Sequence, residues 1–402
     1  MKTTLPCLLF FILLSSFNAR AQWQLKPSGT FASLYDIYFP NADTGYVAGN
    51  NGALLRSVDQ GENWSILPSP TLSNINALHF FTGTEGWLAS DSGLFRTADA
   101  GNTWNRVTTL PLGSWSDIAF TDAQVGFLAG ADGVIARTPD FGLTWTLDST
   151  PLTRQLVSLS FPSDLVGYAT ATGYNWQFLK TTDGGLSWNL DTIQPINNVG
   201  SLESVYFTSE TRGFIAGWYI STFVGTQDGG DNWSDLAAAA PVDLYSLDFP
   251  DSQHGYACGW NMTICRTLDG GDTWSFETIP GFAAALYAIR FLDAQTGFVV
   301  GDGGLIFKTT NGGTTSLPGV TSKTTGFYPN PVESGGVLQC LPGWSLEQTS
   351  VELLDLRGAV VMSRSILGAE EQLPLPALPS GVYTIRVVRE GKPVVNQLLM
   401  VR

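Results

Sequence analysis

Arg266-Thr267-Leu268-Asp269-Gly270-Gly271-Asp272-Thr273-Trp274 is the clearest copy of a cassette that recurs along the chain. The other copies are Ser57–Trp64, Thr97–Trp104, Thr138–Trp145, Thr181–Trp188 and Thr226–Trp233. A worn seventh copy, Thr309-Thr310-Asn311-Gly312-Gly313-Thr314-Thr315, has lost both its aspartate and its tryptophan. Counted from the leading Ser or Thr, the third residues are Asp59, Asp99, Asp140, Asp183, Asp228, Asp269 and Asn311, between 40 and 45 residues apart. Self-similarity at that period marks a repeat architecture.

The cassette reads S/T-x-D-x-G-x-T-W, and its chemistry is that of a turn. An ionised aspartate only accepts hydrogen bonds, so it can gather the backbone N–H groups that follow it. The glycine takes positive φ without a Cβ clash. The tryptophan opens the next strand and covers the turn with a large apolar face. The motif resembles the Asp-box of sialidase-type propellers. A row of aspartates also invites a catalytic or metal reading, but seven equivalent sites do not make one active centre. The expectation is a structural role, with no metal and no cofactor.

Each repeat holds four strands. Repeat 1 reads Leu34–Phe39, Gly45–Gly49, Ala53–Ser57, the cassette, and Trp64–Leu67. The first two strands carry a frame of Phe, five residues, Gly and an aromatic, as in Phe120 with Gly126-Phe127 or Phe249 with Gly255-Tyr256. Asn51-Gly52, Asp132-Gly133 and Gly303-Gly304 predict two-residue hairpins between strands 2 and 3. Four antiparallel strands per repeat make a propeller blade. The last cassette lacks its tryptophan, yet Trp23-Gln24-Leu25-Lys26-Pro27 matches the strand that follows every other one. The N-terminal segment therefore supplies strand 4 of the last blade and removes the open edges of the array. The fold class expected is all-β: a seven-bladed β-propeller closed by its N-terminal strand, followed by a small Ig-like β-sandwich.

Composition narrows the function classes. The net charge of −15 argues against nucleic acid and anionic membrane surfaces. Two histidines, His79 and His254, leave little room for a His-based triad or a zinc site. Residues 1–21 read as a signal peptide: Lys2, an apolar run Leu8–Leu14, and the A-x-A site Ala19-Arg20-Ala21, leaving Gln22 as the mature N-terminus. No later stretch is long and apolar enough to span a membrane as a helix. A basic residue precedes the cassette in six repeats (Arg56, Arg96, Arg137, Lys180, Arg266, Lys308), with Gly225 in the fifth. Two readings fit: pairing with a nearby carboxylate, or a basic ring for an acidic partner. Cys258 and Cys265 flank the sixth hairpin. With Asn261-Met262 as the turn they face each other, so a disulfide in an exported chain is one expectation and free thiols the other.

The domains expected are the propeller over 22–317, a linker over 318–325 and a last domain over 326–402. In the last domain, Val351–Leu356, Ala359–Ser363, Val382–Val388 and Val394–Val401 read as strands, with turns at Arg357-Gly358 and Gly391-Lys392. Tyr328-Pro329-Asn330-Pro331, Asp355-Leu356-Arg357-Gly358, Gly381-Val382-Tyr383 and the basic Arg402 resemble the type A sorting domain of the Bacteroidetes type IX secretion system. That resemblance implies handling by an outer-membrane translocon and a sorting peptidase. It implies release or surface attachment by way of the periplasm.

The frame F-x-D-x-x-x-G-[YF] followed by T-x-D-G-G-x-T-W, as in Phe249-Pro250-Asp251, Gly255-Tyr256 and Thr267–Trp274, resembles the photosystem II stability/assembly factor family. The resemblance implies a propeller that acts as a non-catalytic binding scaffold. A glycan or protein ligand is expected. The competing class is a glycoside hydrolase of sialidase or xyloglucanase type, for which Asp36, Asp117 and Glu203 are the carboxylates outside the cassettes that could pair. The ligand is expected at the strand 2–3 turns of repeats 4, 5 and 6. There Tyr174, Asn175, Trp176, Trp218, Tyr219, Trp260 and Asn261 break the repeat pattern with aromatics and amides.

Overall fold

The computed structural model describes residues 23–122, 124–173, 176–193, 200–218, 223–236, 242–279, 283–313, 327–328, 332–340, 346–355, 359–366, 372–389 and 392–401. The signal segment, Gln22, the linker 318–325, Arg357-Gly358, Gly391, Arg402, Tyr174, Asn175 and Tyr219 lie outside them.

Seven four-stranded antiparallel sheets follow one another among the described residues of the repeats, and we number these blades 1–7 in chain order. Blade 1 runs Leu34–Tyr38, Gly45–Gly49, Leu54–Ser57 and Ser65–Ile66 from the inside outward. The second strand of each blade reads as a nearly continuous apolar run, because neighbouring blades cover it on both faces. Gly45–Gly49, Gly126–Gly130 and Gly297–Gly301 are buried at every residue. The inner strand of blade 7 is Leu286–Phe291, and its outermost strand is the N-terminal Gln24–Leu25, with Gln24 opposite Lys308 and Leu25 opposite Phe307. Blade 1 packs on blade 7 through Leu34, Ile37, Phe39, Val47, Ala288, Phe298 and Val300, so the array closes on itself.

The frame of Phe and aromatic is an inter-blade stack. The strand 2 aromatic of one blade lies against the frame Phe of the next: Tyr46 on Phe80 at 3.8 Å, Tyr168 on Phe207 at 3.6 Å and Tyr256 on Phe291 at 3.4 Å between centroids. The frame glycine lies under that Phe. A Cβ on Gly255 would sit 2.2 Å from the Phe249 ring. The spacing in the sequence thus records the approach of two blades.

The strand 2–3 turns differ from expectation by one residue. Asn51 and Gly52 do take positive φ (54° and 73°), and the Ala53 N–H donates to the Asn50 carbonyl. The ladder, however, pairs Ala48 with Leu54, which leaves three residues in the connection. In blade 6 the same shift sets Cys258 opposite Ile264 and Cys265 opposite Ala257. A one-residue shift turns a side chain to the other face of a sheet. Cys258 therefore packs in the core shared with blade 7 and Cys265 in that shared with blade 5. Both are free thiols, which corrects the disulfide expectation. Burial pushes the Cys265 thiol up to about 12, and burial, with Cys265 nearby, pushes the Cys258 thiol well above its ordinary value. Neither thiol will alkylate with iodoacetamide in the native protein, and both will in urea. Peptide mapping that finds either labelled natively contradicts this placement.

The last domain has a three-stranded sheet (Phe327–Tyr328, Val337–Cys340, Gln372–Pro374) and a four-stranded one (Val360–Ile366, Thr349–Leu354, Gly381–Arg389, Lys392–Val401, in spatial order). One apolar core joins them, with Leu338 and Leu373 meeting Val351, Leu353, Ile385 and Leu399. The four expected strands match the second sheet to within a few residues. Those of the first sheet are too short to register as a periodicity.

Candidate functional site

The cassettes consume their own polar groups. In blade 6, the Thr267 hydroxyl donates to Asp269 Oδ1 at 2.7 Å and accepts from the Gly271 N–H at 2.8 Å. Thr273 then gives its N–H to Oδ1 (2.9 Å) and its hydroxyl to Oδ2 (2.6 Å). Blades 1 to 5 repeat the pattern, for example around Asp59 and Asp183. Hydrogen bonds to the charged form, first from the Ser187 and Thr273 hydroxyls, pull Asp183 and Asp269 down to about 2. With every oxygen engaged inside the turn, these aspartates act as structure.

The basic residues before the cassettes join neighbouring blades. Arg56 donates to the Ala100 carbonyl at 2.9 Å, Arg137 to Gly184 at 3.2 Å and Lys180 to Gly229 at 2.7 Å. Arg266 reaches Gly312 at 3.1 Å, and Lys308 reaches Gln60 at 2.7 Å. Each acceptor is the residue after the aspartate (or Asn311) of the next cassette. Arg96 instead lies over Trp87 and Phe141 and bridges to Glu85. The main partner is thus a backbone carbonyl where a carboxylate was expected. Blade 5, which has Gly225, is served by Arg212 from strand 2's approach, donating to Gly270 at 3.2 Å and to Asp272 at 2.9 Å.

The innermost strands enclose an axial cavity of about 450 Å³. Its wall is stitched across blades by short side chains. Asp36 accepts the N–H of Leu78 from the next blade at 2.7 Å as well as that of Ile37 at 2.8 Å. Asp117 accepts Leu159 and Ile118, both at 2.7 Å. Ser158 and Ser246 fill the equivalent position and accept from Val205 (3.2 Å) and Ile289 (3.3 Å). Enclosure in the wall pushes Asp36 up to about 6 and Asp117 to about 7. Both carboxylates are held by paired backbone donors, whereas Glu203, which lines the same cavity, bonds to side chains. At the cassette end, Arg290 pairs with Asp248 (3.3 Å) and lies over Tyr38. His79 is wedged among Tyr38, Phe81 and Phe120, and its enclosure, helped by Arg290, holds it down to about 4.

The other end is open. The position four residues before each frame Phe lines this mouth: Tyr245, Tyr287 and Tyr35 on blades 6, 7 and 1, Glu203 on blade 5, and Asn76, Ser116 and Val157 on the rest. Tyr287 meets Tyr35 edge-on at 5.3 Å and Tyr245 at 5.7 Å. Glu203 accepts from the Ser201 hydroxyl at 2.8 Å and from the Trp218 side chain. Asp302, in the blade 7 turn, accepts from the Tyr287 hydroxyl (3.1 Å), Ser33 (3.0 Å) and the Ala285 N–H (3.0 Å).

Of the residues expected to bind that lie among the described ones (Trp176, Trp218, Trp260 and Asn261), Trp218 alone lines this mouth. Trp260 is 47% exposed at the blade 6 turn, with Asn261 beside it at φ 57°, away from the mouth lining. Trp176 corrects the expectation: it is buried in the core with Tyr168, Phe178, Ile193 and Leu202. Tyr35, Tyr245, Tyr287 and Asp302 were missed. The signal was one column of the repeat, where the residue type varies from blade to blade while the residues one before and two after it stay apolar, as Leu34 and Ile37 or Leu286 and Ile289 do. Among the described residues no group of three or more His, Cys, Asp or Glu side chains could hold a metal, and no helix is long and apolar enough to cross a membrane.

These features define an Asp-box β-propeller followed by a small all-β module. Residues 16–112 and 236–317 match the family described as Photosynthesis system II assembly factor YCF48, and 326–401 match the Secretion system C-terminal sorting domain. The chain is an Asp-box propeller resembling the photosystem II assembly factors and carries a C-terminal secretion sorting domain. A curated relative, the Photosystem II assembly lipoprotein Ycf48 of Synechococcus sp. (strain CC9902), is 29% identical over 143 residues. That match spans 32% of this chain and 39% of the relative's own length. The solved structure of YCF48 bound to D1 peptide aligns with TM-score 0.61 at 20% identity, over 72% of this chain and 97% of that one. An ancestral GH74 enzyme aligns with TM-score 0.59 at 14% identity, over 94% of this chain and 63% of that one. At these identities the structural likeness speaks for the fold alone.

Proposed function

We propose that this is a secreted or surface-displayed binding protein without catalytic activity, whose mouth on the turn side of the ring takes a glycan or protein ligand. The observation that carries the reading is the crescent of Trp218, Tyr245, Tyr287 and Tyr35 around an open cavity. Tyrosine and tryptophan offer large, rigid faces with polar edges, which suit ligand contact. In this reading the propeller is seven-bladed and spans 22–317, and the domain 326–402 is an Ig-like sandwich. That domain directs type IX export and engages the translocon and the sorting peptidase, while 1–21 directs entry to the periplasm. A photosystem II assembly role stays with the relatives. The hydrolase alternative loses support because Asp36 and Asp117 are tied to backbone donors.

The test is a glycan and peptide array probed with the full mature chain and with its Tyr245→Ala/Tyr287→Ala variant. Binding that falls at least about tenfold in a folded variant supports the mouth. Undiminished binding by that variant removes it. Release of reducing ends from xyloglucan by the wild type overturns the non-catalytic assignment.

A further inference from the structure

The mouth has a chemical bias that narrows its ligand class. Its lining holds no lysine, arginine or histidine among the described residues. Arg154, next to Gln155 in the chain, lies against Gly173 outside the lining, and the basic residues at the cassette end are committed there: Arg56, Arg137, Lys180, Arg266 and Lys308 to cassette carbonyls and Arg290 to Asp248. Among the described residues Glu203 receives the neutral donors Ser201 and Trp218, and Asp302 receives Ser33, Tyr287 and Ala285. Glu203 therefore lines the mouth without an ion-pair partner among the described residues, and Asp302 lies behind it against the Tyr287 hydroxyl.

The rings add a second attraction. The Tyr287 hydroxyl donates a hydrogen bond to Asp302, which makes its ring richer in electron density and its face a better partner for a cation. The hydroxyls of Tyr35 and Tyr245 have no hydrogen-bond partner among the described residues, so both can still turn toward a ligand. Burial, followed by the charges of Asp243, Glu203 and Asp302, raises the Tyr245 hydroxyl to about 12. These phenols remain neutral and cannot themselves contribute negative charge. A ligand cation entering here meets the aromatic side chains of Tyr35, Tyr245, Tyr287 and Trp218 beside the Glu203 carboxylate, with Asp302 behind Tyr287.

We propose that the mouth formed by Tyr35, Tyr245, Tyr287, Trp218, Glu203 and Asp302 recognises a cationic group, either the guanidinium or ammonium of a peptide side chain or a free organic amine. This rests on the mouth being the binding site. The competing occupant, a neutral sugar, would use the same rings as stacking platforms but would leave the carboxylates without a counter-charge.

The experiment is calorimetric titration of the full mature chain with three probes: N-acetyl-arginine methylamide, its neutral citrulline counterpart, and spermidine. The arginine probe should bind at least about tenfold more tightly than the citrulline one, with affinity falling as salt is raised. Glu203→Gln should lose about tenfold for arginine while leaving citrulline unchanged. Spermidine binding as tightly as the arginine probe assigns the free amine, and weaker binding assigns the peptide side chain. Equal affinity for arginine and citrulline, or an unchanged Glu203→Gln, overturns the cation. So does an arginine probe that fails to bind the folded wild type. The array with the Tyr245→Ala/Tyr287→Ala variant separates this failure from that of the mouth: a glycan lost from the variant keeps the site and discards the cation.

Discussion

Removing residues 22–27, or replacing Trp23 alone by alanine, will destabilise the propeller by about 3–5 kcal/mol, far more than a terminal segment ordinarily contributes. Trp23 is only 7% exposed, packs edge-on against Phe291 at 6.0 Å, and lies beneath Gly313 of the worn cassette. The strand it leads completes blade 7 through the pairs Gln24–Lys308 and Leu25–Phe307 and a 2.7 Å bond from the Lys26 N–H to the Ile306 carbonyl. It also ties the ends of the ring together. Glu62, in blade 1, accepts from both Lys26 and Lys308. Deletion strips the outer edge of blade 7, opens a cavity under Gly313 and leaves Glu62 with one partner instead of two. Urea unfolding followed by tryptophan fluorescence measures the loss. Coincident transitions for Trp23→Ala and wild type would show that the first strand closes nothing.

The closure was legible because the cassette is defined by a tryptophan whose absence in one copy could be matched to its presence elsewhere. The blades were legible for a similar reason. The frame Phe, the glycine beneath it and the following aromatic fix three points of each blade, and the stacks of Tyr46 on Phe80 and Tyr256 on Phe291 are what that spacing builds. The turn of blade 6 was read correctly as Asn261-Met262, both of positive φ (57° and 58°), yet the ladder beyond it is offset by one residue. Turn residues do not carry that offset, and it alone decides whether two cysteines share a face. The residues of the mouth were hidden for another reason. The irregular turns lie in blades 4–6, where Trp176 is buried in the core. The mouth instead comes from one regular strand position sampled once in each blade. Tyr35, Tyr245 and Tyr287 lie up to 252 residues apart in the chain (287 − 35), and only the ring brings them together.

Replacing Asp117 by serine, the residue that fills the same position as Ser158 and Ser246, will flatten the pH dependence of stability between pH 4 and 7. Enclosure raises Asp117 from an ordinary 3.8 to about 7, and Asp36 from 3.8 to about 6. Across that interval the folded chain keeps protons that the unfolded chain has released. Their stabilisation is complete below the ordinary value and is lost as the pH rises through the folded one. His79 acts in the opposite sense: held down to about 4 from 6.5, it stabilises above 6.5 and less as the pH falls toward 4. The cassette aspartates Asp183 and Asp269, lowered from 3.8 to about 2, matter only below that range. Subtracting the variant's stability from the wild type's cancels these other groups and leaves Asp117. Its rise from 3.8 to about 7 is worth up to about 4 kcal/mol by linkage. The wild type's advantage should therefore be greatest near pH 4 and shrink by that order on the way to pH 8, measured by urea unfolding at fixed ionic strength. Serine preserves a blade-to-blade acceptor, as Ser158 does for Val205 at 3.2 Å, so the variant folds as the neighbouring blades do. A difference that stays constant from pH 4 to pH 8 would mean that Asp117 titrates as it does in water, and that the channel wall does not enclose it.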